Sequence, residues 1–94
     1  MSNSTFENMS GGFTPYRTEI NSSEKKVFEK ALSGLLGSNY EPVAVATQVV
    51  AGTNYHFFCN AKVTAPNTPV KGARVAIYES LKGEIEMKGI TNFG

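Results

Sequence analysis

Cysteine occurs once in this 94-residue chain, at Cys59, histidine once, at His56, and tryptophan not at all. A single thiol excludes an intrachain disulfide. One Cys and one His also leave too few of the usual ligands for a zinc site, so no metal or other cofactor is expected. Charge of one sign is lacking too: 9 Lys and Arg against 8 acidic residues leave a formal net charge of +1. That balance removes the electrostatic reason to expect nucleic acid or an anionic membrane surface as partner. No apolar run is long enough to span a bilayer, and the first residues lack the basic-then-apolar order of a secretory signal. With one free thiol, the expectation is a cytoplasmic protein.

What remains is ordinary: 40% hydrophobic and 18% charged residues, the balance of a small globular domain. With no staple to help it, such a chain must rest on a packed apolar core and sound hairpins. Residues 1–12 are mostly Ser, Asn, Thr and Gly without periodicity, and read as a flexible tail before a domain over 13–94. Asn3, Asn8 and Asn21 each open a glycosylation-type triplet, as chance allows in a stretch so rich in Asn and Ser. Asn21 followed by Glu24 has the spacing of a helix capping box. Val27, Phe28, Ala31, Leu32, Leu35 and Leu36 then recur every three or four residues, predicting one apolar stripe along a helix of about four turns. Glu24, Lys25, Lys26, Glu29 and Lys30 fall on its polar side, and Gly37 is the expected stop.

After Gly37 the period changes to two. Val43, Val45, Thr47 and Val49 alternate with Ala44, Ala46, Gln48 and Val50. A break at Ala51 and Gly52 precedes a second strand, 54–63, in which Tyr55, Phe57, Cys59, Ala61 and Val63 share one face. Residues 65–69 read as a loop, Ala73, Val75 and Ile77 mark a third strand, Gly83 a turn, and 85–93 a fourth strand. An apolar helix stripe needs an apolar sheet face. The expected fold is therefore α+β, an antiparallel sheet wrapped around a single helix.

Catalytic chemistry is hard to find. Cys59 and His56 are the candidate nucleophile and base, but an odd separation of three on one strand sends them to opposite faces. Cys59 fits better as a small core residue, and His56 as a solvated strand residue. Glu84 and Glu86 share a face but lie beside Lys82 and Lys88, as on a solvated edge, and Gly11 and Gly12 lack the remainder of a phosphate-binding fingerprint. An enzyme is not expected.

One stretch stands out: Gln48, Val49, Val50, Ala51, Gly52, Thr53, Asn54 and Tyr55, read as QVVAGTNY. Alone, Val-Val-Ala-Gly is compatible with any strand ending in a glycine turn. Here it follows an amphipathic helix, a glycine pair stands about ten residues before that helix, and Ser80, Leu81, Lys82 and Gly83 follow the third strand. In this order the chain resembles the cystatin superfamily, in particular the disulfide-free stefins, which inhibit papain-like cysteine proteases. The resemblance spans residues 11–93.

The resemblance implies a cystatin-like fold and a wedge of three parts that plugs a protease cleft reversibly and without covalent chemistry. Carried over, the parts are a trunk around Met9, Ser10, Gly11 and Gly12, a first hairpin of Gln48, Val49, Val50, Ala51 and Gly52, and a second of Ser80, Leu81 and Lys82. Two departures stand out: Ser10 where an apolar side chain is usual, and Lys82 where the family carries proline. They favour the alternative of a non-inhibitory binding module on the same scaffold. The resemblance further implies a monomer as the active form, with strand exchange into a swapped dimer hinging at residues 48–52.

Overall fold

The computed structural model describes residues 12–35, 38–63, 67 and 69–93. One helix, α1 (Ser22–Leu32), precedes four strands: β1 (Ser38–Val50), β2 (Gly52–Val63), β3 (Lys71–Glu79) and β4 (Ile85–Asn92). Each strand pairs antiparallel with the next, so the sheet order is β1-β2-β3-β4, an α+β meander.

The start of α1 follows the sequence closely. The Asn21 side chain accepts from the Glu24 N–H at 2.8 Å, and the Glu24 carboxylate accepts from the Asn21 N–H at 3.0 Å. Two of the orphan amides at the helix start are thereby satisfied. The helix end differs from expectation. Ser33 turns to extended backbone and Gly34 takes φ 87°, so α1 stops after three turns at Leu32. Gly34 supplies the left-handed residue expected of Gly37; Leu36 and Gly37 lie outside the described residues, and Leu35 is exposed.

Glu24 is a second correction. Expected on the polar side, it is 6% exposed, because the Arg17 guanidinium reaches it from the preceding segment, with Nη1 donating to Oε1 at 3.1 Å and Nη2 donating to Oε2. Burial by itself would raise this carboxyl's pKa. The bonds from Arg17 and from the Asn21 N–H outweigh it and hold the group below its ordinary value.

The core lies between α1 and one sheet face. Val27 and Phe28 meet Val45, Tyr55, Phe57, Cys59, Val75 and Ile77. The Phe28 and Phe57 rings cross edge to face with centroids 5.0 Å apart. Strict alternation in β3 buries Ala73, Val75 and Ile77. Complete burial of such a side chain contributes roughly 1.5–3 kcal/mol.

In β1 the alternation is interrupted. Pro42 pairs with Cys59 and Ala44 with Phe58, which leaves Val43 as the extra residue of a bulge and 39% exposed, not in line with Val45. Proline has no N–H to offer a ladder, and a bulge beside it accommodates that lack.

The outer edge of β1 is covered by residues 14–17, a segment without a strand signal in the sequence. Arg17 and Val45 exchange N–H···O bonds at 3.0 and 2.9 Å, and the Thr14 N–H donates to the Thr47 carbonyl at 2.9 Å. This partner strip contains Pro15, tolerated at a sheet margin.

Candidate functional site

The register decides where the expected site residues go. Val50 pairs with Gly52, leaving Ala51 as the tip of the first hairpin. Thr53 pairs with Glu79, and Glu79 with Ile85, so the turn between β3 and β4 emerges at the same end of the sheet as Ala51. Residues 14–17 run antiparallel to β1, with Thr14 beside Thr47. The chain before Thr14, beginning with exposed Gly12, therefore also leads toward that end. The 48–52 tip and the 80–82 tip thus share one end of the sheet, and residues 12–13 head toward it. Met9, Ser10 and Gly11 lie outside the described residues.

Both tips are built from hydrogen bonds their sequences can supply. In the second, the Gly83 N–H donates to the Ser80 carbonyl at 2.9 Å and the Ser80 N–H to the Glu84 carbonyl at 2.8 Å. The Ser80 hydroxyl oxygen accepts from the Glu84 N–H at 3.0 Å, and Gly83 takes φ 86°, the left-handed residue that closes such loops. Leu81 and Lys82 are thereby held outward.

In the first tip, Gly52 takes φ 107°. A side chain there would meet the Glu79 carbonyl oxygen first, then the Tyr78 hydroxyl at 2.7 Å and its Cε1 at 3.0 Å. The Tyr78 hydroxyl donates to the Ala51 carbonyl. At the third pair from the tip, Asn54 Nδ2 donates to Gln48 Oε1 at 2.9 Å. Tyr55 donates to Glu79 Oε1 at 3.0 Å, and burial first, then this carboxylate, pushes its pKa up to about 12.

The two most exposed of the large apolar side chains described are at these tips. Val49 and Leu81 are each 81% exposed and Val50 is 44% exposed. None of the three gains from folding what a core valine gains, so their surface is available to a partner.

Cys59 and His56 sit on opposite faces of β2. The thiol is fully buried and its pKa is pushed up to about 12 by that burial. His56 faces away from the helix, its ring stacked on Phe13 with centroids 3.9 Å apart, and burial together with Arg74 lowers its pKa. No hydrogen bond joins them among the described residues, and no group of three His, Cys, Asp or Glu gathers there as metal ligands.

Sequence reasoning missed Tyr78 as part of the first tip. Its position on β3 gives no local signal, because the partner lies 27 residues earlier in the chain. Neither a protein-family model, nor a curated protein, nor a solved structure matches this chain.

Proposed function

We propose that this protein is a reversible, non-covalent competitive inhibitor of papain-like cysteine proteases, in which the trunk at Gly12 and the two hairpin tips enter the active-site cleft as one wedge on a cystatin-like scaffold. The observation that carries this function is the pair of 81% exposed aliphatic side chains, Val49 and Leu81, on neighbouring turns at one end of the sheet. Support also comes from the QVVAG sequence at the first tip, and from the order of glycine pair, helix, first hairpin and second hairpin.

The physics favours a plug over a substrate. A protease cuts a segment laid extended across its catalytic groups. Residues 49–53 are folded back on themselves, with Val49 paired to Thr53 and Val50 to Gly52, and offer no such segment. Their apolar side chains enter a cleft already ordered, so little conformational entropy is lost on binding.

Lys82 favours a second reading, a binding module without inhibitory activity. Its ammonium group lies beside Leu81 on the exposed second tip and would have to be accommodated by any protease cleft. Titrating papain with the full chain separates the two. The inhibitor should abolish peptide hydrolysis at one chain per active site, reversibly on dilution and in competition with substrate. Papain activity unchanged at micromolar protein would overturn it.

A further inference from the structure

We infer that Tyr78 is the positioning residue of the candidate site: its hydroxyl, donated to the Ala51 carbonyl, holds the first hairpin tip in the shape a cleft receives and ties it to the second. This rests on the inhibitor function proposed above, which it extends to a residue outside the QVVAG and Ser-Leu-Lys-Gly segments.

Three observations converge on Tyr78. Ala51 is the single residue between β1 and β2, so its carbonyl is not used by the strand ladder, and the Tyr78 hydroxyl is its partner. A Cβ at residue 52 would run into the Glu79 carbonyl oxygen and then the Tyr78 hydroxyl and ring, so glycine at φ 107° is what lets the end of β3 and the Tyr78 side chain approach the tip this closely. Finally, Tyr78 pairs with Asn54 near the end of β3, two residues before Ser80 and three before Leu81. One side chain therefore joins the strand that carries the second tip to the backbone of the first.

The tie leaves the contact surface free, since Val49 remains 81% and Val50 44% exposed. A carbonyl at an exposed turn can bond to water when its protein partner is removed, so the hydroxyl is worth a modest net amount, not a fold-breaking one. Its consequence is a population: the fraction of molecules whose first tip already has the binding shape. An apparent affinity falls in proportion to that fraction.

The test is Tyr78→Phe in the full chain, which keeps the ring and removes the bond. Amide hydrogen exchange in the free protein should quicken roughly two- to tenfold across residues 49–54, the range set by one net hydrogen bond. Exchange at Phe57 and Val75 should stay as in the parent. Association with papain should slow by up to the same factor while dissociation stays unchanged. Unaltered exchange at 49–54 would overturn the inference. So would faster exchange throughout the sheet, the mark of general loosening, or a changed dissociation rate with unchanged association, the mark of direct contact with the protease. Should the parent protein leave papain untouched, the inhibitor function falls, and the exchange measurement alone decides whether Tyr78 holds the tip.

Discussion

The helix-facing side of the sheet and its hairpin end use the same residue types to opposite purposes. Val45 and Val75 are fully buried beneath α1, whereas Val49, four residues beyond Val45 on the same strand, is 81% exposed. Distance from the helix makes the difference. Val45 lies in the cluster that contains Val27 and Phe28, while Val49 lies one pair from the tip, where the helix no longer covers the sheet. An apolar side chain in the first place stabilises the fold. In the second it contributes little to folding and retains its full gain for a partner.

The comparison breaks most visibly at Phe57. Phe57→Ala should lower the unfolding free energy by about 3–5 kcal/mol, read from the urea midpoint, because the ring is fully buried against Phe28. A loss near zero would mean that the helix and sheet do not share a core. Leu81→Ala is the counterpart at the tip. Stability should stay within about 0.5 kcal/mol of the parent, while affinity for papain falls by up to about 1.5–3 kcal/mol, the worth of a buried leucine. A stability loss without an affinity loss would reverse the roles assigned to the two regions.

Gly52→Ala tests where they meet. Positive φ, the Glu79 carbonyl oxygen and the Tyr78 side chain leave no space for a methyl group, so stability should drop by at least about 1–2 kcal/mol, and papain inhibition should weaken with it. Calorimetry and an inhibition titration on one preparation would measure both. The smallest effect belongs to Glu24, far from the tips. Its pKa in the folded state is depressed, so its stabilising contribution is present above the ordinary glutamate pKa of about 4.3 and is lost as pH falls from there through the folded value. Glu24→Gln keeps a capping acceptor for the Asn21 N–H but loses the charge facing Arg17, so it should cost about 1 kcal/mol at neutral pH and flatten the acid side of the stability profile. Papain affinity at neutral pH should not change.

Local signals in the sequence carried most of the fold. The Asn21–Glu24 spacing and the 27, 28, 31, 32 stripe located the helix, period-two alternation located the first three strands and the Gly83 turn the start of the fourth, because each depends on neighbours a few residues apart. The signals failed where partners are distant. Leu35 continued the helical spacing, yet Gly34 had already turned the chain. Val43 matched the alternation of Val45, yet the bulge after Pro42 turned it outward. Residues 14–17 showed no alternation, and they join the sheet only because β1 offers them a free edge.

The letters QVVAG and the exposed-looking leucine in Ser-Leu-Lys-Gly marked the candidate site in one dimension. Their composition made Gly52 a turn and Leu81 an aliphatic group on a polar loop, since positive φ and solvation are local matters. Bringing the two tips to one end required the register of three strands, and tying them required Tyr78 to meet a carbonyl 27 residues away. Backbone conformation and amphipathic pattern are thus written in consecutive residues. The common end of the hairpins, the part-buried ion pair at Glu24 and the Tyr78 tie were decided by the tertiary structure, because each depends on which distant groups the folded chain brings within hydrogen-bonding or packing distance.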